Sequence, residues 1–525
     1  MAKEFNTAVT CNPKNHYMVD VSQKMNGLRD LIDKKKYFTI NRARQFGKST
    51  ALNWIARNLK DKYYVIPISF EKVGGAGYKD EKTFVRTFCG LVSSKLELAI
   101  QDFDTQKIWD DQMATADTFD GLSDSIVRFC RQITKPVVLT IDEVDKSLDN
   151  QLFLNLLGMF RNLYLERNET GDDHYTFWSV ILAGVYDVKN LKVKIRPDEE
   201  RKYNSPWNVA ADFTVDMTFN PLEISTMLAD YENEHHIGFD IIEISNEIYK
   251  YTSGYPVLVS SVCKKIDEVL DKDWSKEGVQ KAARLIIKEK STLTDDIVKN
   301  LEIYPDVKKF LRAILLENFS IAFNINNPTM NFANMFSIIK ESPSGKAEIH
   351  NLIFQQVLYN YFISENELRH LFTNSGLSVY TDKNGDLNMP VVMERFALTV
   401  KKFHTDKKFL EEQGRLIFLC FLKPIINGTG FYYVEPENDD SSRMDIVVNY
   451  NRKEYVIELK LWYGEKYELS GRDQLSEYLA ARKLDTGYLI TFSFLKEKKL
   501  QDEPEWIHHN GMRILETVID CGATS

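Results

Sequence analysis

Arg443 to Leu461 reads RMDIVVNYNRKEYVIELKL, and its pattern is that of a β-hairpin. Ile446-Val447-Val448 and Tyr455-Val456-Ile457 are β-rich runs, and Asn451-Arg452-Lys453-Glu454 is a polar break between them. A turn made of those four residues would set Tyr450 opposite Tyr455, Val447 opposite Glu458 and Asp445 opposite Lys460. Side chains alternate along a strand, so Ile446, Val448, Tyr450, Tyr455, Ile457 and Leu459 share the expected core face. Asp445, Glu458 and Lys460 share the other. Two carboxylates and an amine on neighbouring strands suit a hard divalent cation. Asp445 and Glu458 would hold Mg²⁺ through oxygen, and Lys460 would orient or deprotonate the attacking water, or neutralise a phosphate. The same residues also read as a surface hairpin whose charges form cross-strand ion pairs, which are worth little in water.

Around the hairpin lie further features. Phe409-Leu410-Glu411-Glu412-Gln413-Gly414-Arg415, an apolar helix and Pro424-Ile425-Ile426-Asn427-Gly428 precede it. Phe431 to Glu435 reads as a strand leading into it, and Tyr488 to Phe492 as a further buried strand, giving a mixed α/β/α core. Gly471-Arg472-Asp473-Gln474-Leu475 and Tyr478-Leu479 follow; Gln474 and Tyr478 are four apart, so one helical face presents both toward the sheet. Asp445, a strand–turn–strand spacer and Glu458-Leu459-Lys460 resemble the core motif of the PD-(D/E)XK nuclease superfamily. The chain looks like bacterial proteins that join such a restriction-endonuclease-like domain to an N-terminal AAA-like ATPase. The resemblance implies an acidic residue on the helix before the sheet; Glu411 and Glu412 fill that position, with Glu412 slightly favoured as a further metal ligand.

In the N-terminal third, Tyr37-Phe38-Thr39-Ile40 reads as a short buried strand running into Asn41-Arg42-Ala43-Arg44-Gln45-Phe46-Gly47-Lys48-Ser49-Thr50, and Ala51 to Leu59 as a helix. Strand, loop, Gly-Lys-Ser, helix is the context of a phosphate-binding loop. Gly47 lets backbone N–H groups approach a phosphate, Lys48 reaches the β/γ-phosphates, and Ser49 can ligate Mg²⁺ at a helix N-terminus. The first glycine of the usual loop is replaced by Arg42. Pro136 to Glu143, PVVLTIDE, is a hydrophobic strand ending in two acids. Asp142 would hold Mg²⁺ through water and Glu143 would polarise the attacking water. The order agrees with the AAA-like part of the resemblance, in which Arg44, Gly47, Lys48, Ser49, Thr50 and Asp142 would bind the nucleotide and its metal. Strands at Val65–Phe70 and Phe177–Ala183, with helices at Lys82–Ala99 and Leu152–Leu165, imply a three-layer α/β fold with a parallel sheet. Asp187 is a candidate sensor, Arg196 and Arg201 are candidate arginine fingers, and Tyr17 to Asp20 stand where the resemblance places the nucleotide-base flank.

Residues 221–378 read mostly helical, a lid with a winged-helix-like element. Ser253-Gly254-Tyr255-Pro256 resembles the Gly-x-Pro element of signal-transducing ATPases, where the lid meets nucleotide, and reads equally well as a helix end followed by Pro at a helix start. Lys264, Lys265, Lys288 and Lys290 could touch nucleic acid or form solvated faces. The expected division is 1–220, 221–378 and 379–525, in keeping with a prior of roughly 150 residues per domain.

A net charge of −9 argues against a chain-wide nucleic-acid footprint, so contacts with DNA would use local patches. Cys11, Cys89, Cys130, Cys263, Cys420 and Cys521 are scattered with no Cys-x-x-Cys pair, which argues against a disulfide framework or a zinc site. The N-terminus lacks the features of a signal peptide, and no run approaches the roughly 18 apolar residues of a membrane span. The expectation is a cytoplasmic protein with no membrane partner. The resemblance implies ATP and Mg²⁺ as cofactors, DNA as the first choice of partner, assembly of copies through the ATPase domain, and a place in defence or mobile-element biology. Two functions fit: an ATP-controlled, Mg²⁺-dependent endonuclease, or an ATP-dependent switch whose nuclease-like part only binds nucleic acid or a protein.

Overall fold

The computed structural model describes residues 3–186, 206–289, 291–316, 321–365, 377–402, 411–426, 430–434, 446–462, 465–493 and 503–520. Contacts divide the chain into two compact units, Met1–Ala283 with Met335–Ser337, and Arg284–Asn334 with Ile338–Ser525. This boundary falls within helix Lys276–Lys288. In the first unit Tyr255, from the expected lid, touches the phosphate loop at Arg44 and Phe46. In the second, helix Glu411–Ile426 packs on helices Pro305–Leu316 and Leu352–Glu365.

In the first unit β1 (Phe38–Asn41), β2 (Tyr64–Ser69), β3 (Val137–Asp142) and β4 (Ser179–Gly184) form a parallel sheet in the order β1-β4-β3-β2. These are short apolar runs buried on both faces, as a parallel sheet flanked by helices requires. The bridge Phe38↔Ala211 continues the parallel pairing beyond the free edge of β1. One face, with Ile66, Ile68, Leu139, Ile141, Val180 and Leu182, packs with Phe84, Phe88, Trp109, Phe129, Phe153 and Phe160. Those rings come from helices Glu81–Lys95, Phe103–Met113, Phe119–Gln132 and Gln151–Thr170, each started by a side-chain cap: Asp80, Asp102, Thr118 and Asn150. Because β4 lies between β1 and β3, the carboxyl ends Asn41, Gly184 and Asp142 come together at one edge of the sheet, where ligands of open α/β sheets bind.

The second unit contains helices Thr292–Ile303, Pro305–Leu316 and Pro328–Met335, the antiparallel pair β5 (Ile339–Glu341) and β6 (Ala347–Ile349), and helix Leu352–Glu365. A six-stranded mixed sheet follows: β7 (Gly430–Val434), β8 (Ile446–Tyr450), β9 (Lys453–Trp462), β10 (Thr486–Ser493), β11 (Glu505–His509) and β12 (Met512–Asp520), in the order β11-β12-β10-β9-β8-β7. β9, β10 and β12 are parallel neighbours; the other pairs are antiparallel. Val456, Leu489 and Ile514 pack with Leu475 and Leu479 of helix Glu465–Ala481 on one face. Phe492, which points to the opposite face, meets the Phe396 ring and closes on Gly414, where a Cβ would lie 2.4 Å from its ring. Helices Met389–Lys402 and Glu411–Ile426 therefore cover the second face, giving an α/β/α arrangement.

The hairpin differs from expectation in its turn. Ile446 pairs with Ile457, Val447 with Val456, Val448 with Tyr455 and Tyr450 with Lys453, leaving only Asn451 and Arg452 as the loop. Both take left-handed φ, +49° and +66°, the conformation whose twist matches that of the flanking strands. Lys453 and Glu454 are thus strand residues. The register shifts by two positions, an even number, so each side chain stays on its expected face. The second correction is burial. β8 is buried at every residue, and the face carrying Glu458 and Lys460 lies under helix Glu465–Ala481, not in solvent.

Candidate functional site

The phosphate loop is built at the end of β1. Gly47 caps helix Lys48–Asn58 with φ +82°. A Cβ there would meet nothing closer than 3.8 Å, so backbone conformation, not space, demands glycine. The loop tolerates Arg42 because its guanidinium leaves the loop: it donates to the Val215 carbonyl at 2.8 Å and to the Asn41 carbonyl at 3.0 Å, and lies 5.0 Å from the centre of the Phe213 ring. Arg44 is exposed, and its carbonyl accepts a hydrogen bond from the Tyr255 hydroxyl at 2.9 Å. Phe46 packs edge-on against the same ring.

Lys48 is only 9% exposed, and its Nζ donates to the carbonyls of Arg42 and Ala43, both at 2.9 Å. Burial pushes its amine below the ordinary lysine value, while Asp145, Asp142 and Glu143 push it back. Ser49 Oγ donates to Asp142 Oδ2 at 2.6 Å, joining the loop to the acidic end of β3. Asp142 Oδ1 accepts the Glu143 N–H at 2.9 Å, and Glu143 holds a left-handed φ of +55°. A non-glycine residue held there stores strain of a kind that collects at functional sites. Thr50 Oγ1 accepts the Cys11 N–H at 3.5 Å, which brings the N-terminal segment to the start of the loop's helix. Tyr17 is buried and donates to Glu234 at 2.7 Å, tying that segment to helix Pro221–His235.

Ser253-Gly254-Tyr255-Pro256 forms the helix end and helix start that its second reading expects. Ser253 and Gly254 end helix Ile241–Thr252 with left-handed φ, and Pro256 opens helix Pro256–Glu268. A Cβ on Gly254 would lie 1.9 Å from the Phe219 carbonyl oxygen. Tyr255, between them, supplies the hydroxyl that holds Arg44. Lys264 pairs with Glu268 one turn on, as a solvated helix face does. Asp187, Arg196, Arg201 and Lys290 lie outside the described residues. Sequence reasoning missed Asp145, whose signal was the Asp-Glu-x-Asp run 142–145.

In the second unit Glu458 and Lys460 do come together, but as an ion pair along one strand, at 2.6 Å, with side chains 2% and 9% exposed. Lys460 Nζ also donates to Gln474 Oε1 at 2.7 Å. Close approach of helix to strand makes this possible: a Cβ on Gly471 would lie 3.2 Å from Lys460 Cγ. Tyr478 joins the apolar cluster under the helix, with Arg482 over its ring at 5.0 Å. Asp445 lies outside the described residues, and helix Glu411–Ile426 begins at the two acids Glu411 and Glu412. Among the described residues no group of three or more His, Cys, Asp or Glu is placed to hold a metal ion. Among the same residues no helix is long and apolar enough to cross a membrane.

A strand, a glycine-capped loop and a helix, facing an acid-tipped neighbour strand across an intervening one, define a nucleotide-binding α/β domain of the P-loop class. The chain belongs to the AAA-like domain family, whose model matches residues 14–286. A search among curated proteins finds no match. Among solved structures it is similar to the Walker-type ATPase paby2304 of Pyrococcus abyssi, with 14% identity, TM-score 0.45, and coverage of 67% of this chain and 99% of that one. It is also similar to the Aeropyrum pernix ORC2 protein in its ADPNP–ADP complexes (11% identity, TM-score 0.36, covering 69% and 97%). The Aeropyrum pernix ORC1 protein in complex with DNA is a third such structure (10% identity, TM-score 0.29, covering 69% and 95%).

Proposed function

We propose that the first unit binds and hydrolyses ATP and that this controls Mg²⁺-dependent DNA cleavage by residues 379–525. The observation that carries the ATP half is the Ser49–Asp142 hydrogen bond, since one hydroxyl from the loop and one carboxylate from β3 are the pair that would hold Mg²⁺ beside the phosphates. The residues fit ATP: a buried amine bonded to two carbonyls, a left-handed glycine, and a helix start. Bound Mg²⁺ would supply charge neutralisation at the β/γ-phosphate oxygens. Lys48 exchanges its carbonyl partners for phosphate oxygens, and Glu143 is the base that accepts a proton from the attacking water. Tyr255, fixed to the Arg44 carbonyl, transmits the state of the loop to the lid helices.

Support for the nuclease half is the Glu458–Lys460–Gln474 chain. A buried ion pair adds little to stability that apolar residues of the same volume would not, so its place in a central strand favours a chemical role. Asp445 and Glu458 would ligate Mg²⁺, with Glu412 as a further ligand, and Lys460 would position water or phosphate. The same pair, satisfied internally, also suits a fold that only binds nucleic acid or a protein. Incubating the protein with supercoiled plasmid and Mg²⁺, with and without ATP, separates the two. Nicking that depends on Mg²⁺ and responds to ATP is expected. Intact plasmid in every lane, from protein shown to bind ATP, would leave the switch without a nuclease.

A further inference from the structure

Asp145 has no part in the reading above, yet its carboxylate is engaged on both oxygens. After β3 the chain turns at Glu143 into the short helical turn Val144–Ser147. That turn carries Asp145 to the end of β4, where Oδ2 accepts the Val185 N–H at 2.7 Å and Oδ1 accepts the Tyr186 N–H at 3.0 Å. Gly184 makes the approach possible. A Cβ there would lie 2.7 Å from Val144 Cγ2 and 2.8 Å from Asp145 Oδ1. On its other side the same corner is bound to the phosphate loop, the Gly184 carbonyl accepting the Arg42 N–H at 3.1 Å.

A closed circuit results. The loop is bonded to the end of β4, the end of β4 to Asp145, and Asp145 stands three residues after Asp142, which Ser49 ties back to the loop. Asp145 is also foremost among the acids whose charge acts on Lys48, ahead of Asp142 and Glu143. With both oxygens occupied by amides it does not capture Lys48, whose Nζ keeps two carbonyls as partners. Neutral carbonyls are easily exchanged for phosphate oxygens. A carboxylate partner would compete with them.

We propose that Asp145 is a positioning residue of the ATP site: it locks the corner after β4 to the acidic turn, so that Lys48 stays available to phosphate and Glu143 keeps its place relative to it. This rests on the ATP reading. Position 184–186 offers no Asn or Thr side chain to the phosphates; here the corner is ordered by backbone amides on a carboxylate. Asn at 145 would keep one acceptor, set an NH₂ against a backbone N–H, and remove the charge beside Lys48.

The test is D145N in the full chain, read by ATP affinity, kcat and hydrogen exchange of the 184–186 amides. ATP affinity should hold or tighten, because negative charge near the phosphates is lost. kcat should fall about 10- to 100-fold, the scale of a misplaced catalytic group. Protection of the Val185 and Tyr186 amides should drop, and D145E should recover kcat in part. Unchanged kcat overturns the proposal, as does a parallel loss of affinity, kcat and thermal stability, which would make Asp145 a structural cap. If ATP binds without turnover, exchange decides: slowing at 185–186 on ATP binding in wild type and none in D145N supports it, and no response in wild type overturns it. Wild-type protein that binds no ATP overturns the ATP reading and takes this proposal with it, an outcome distinct from the others.

Discussion

Lys48 and Lys460 sit at the centres of the two candidate sites, both almost out of contact with water, and their partners differ in kind. Lys48 Nζ rests on two neutral carbonyls, and of its nearby acids Asp142 and Asp145 are engaged elsewhere. Lys460 Nζ rests on a carboxylate 2% exposed to solvent, with a glutamine amide oxygen as its second partner. A lysine on neutral carbonyls can leave them for a ligand at smaller cost, since its departure uncovers no charge. A lysine on a buried carboxylate cannot, because its departure strands a charge. The first site is therefore poised to exchange ligands, while the second is neutralised in advance and must rearrange for a metal to enter.

Truncating the two lysines should expose that difference most strongly. Lys460→Ala leaves Glu458 buried without its cation and should cost about 3–5 kcal/mol of stability in the full chain. Replacing both, Glu458→Leu with Lys460→Met, should bring stability back to within about 1 kcal/mol of wild type and, on the proposed nuclease reading, abolish nicking. Denaturant unfolding of the single and double variants checks this, and a single variant as stable as wild type would mean that Glu458 is solvated.

Lys48→Ala should do the opposite. Loss of the charged donor should weaken ATP binding by roughly 10- to 100-fold, as calorimetry would read it, while stability should fall by less than in Lys460→Ala, because the partners left behind are neutral carbonyls. Equal ATP affinity in wild type and variant would remove Lys48 from the phosphate site.

Legibility in the sequence followed the range of the determinants. The phosphate loop was readable because strand, loop and helix are contiguous, and the face assignments of β8 and β9 because period two survives a register shift of two. Arg42 was opaque: the carbonyl and ring that receive it belong to Val215 and Phe213, some way along the chain. Burial of Glu458 and Lys460 was opaque for a related reason. A charged strand face reads as solvent-exposed, and only helix Glu465–Ala481, packed close through Gly471, makes it interior. Helices Phe103–Met113 and Phe119–Gln132, which complete the core of the first unit, went unread although Asp102 and Thr118 cap them.

Left-handed residues extend the comparison to the backbone. Gly47→Ala should cost about 1–2 kcal/mol from conformation alone, since the new methyl has room. Its effect on ATP binding should exceed its effect on stability, because in the proposed ATP site the loop amides would meet phosphate through that same φ. Denaturant midpoints and ATP titrations of the variant report the two separately, and an alanine variant that binds ATP normally would mean that the loop reaches phosphate in another conformation.

The smallest effect belongs to the hairpin turn, and it has the opposite sign. Arg452 is exposed and holds φ +66° without being glycine. Arg452→Gly relieves left-handed strain but frees the unfolded chain, so the net gain should be about 0.5 kcal/mol. Asn451 takes the same region at φ +49°, but its side chain also donates to Asp386 Oδ1 at 2.8 Å, so Asn451→Gly should gain nothing or lose. The contrast depends on a two-residue loop. Were the loop Asn451 to Glu454, Arg452 would have no reason to be left-handed, and glycine there would destabilise. Loss of stability in Arg452→Gly would thus return Val447 to a place opposite Glu458 and undo the pairing that sets Val447 against Val456.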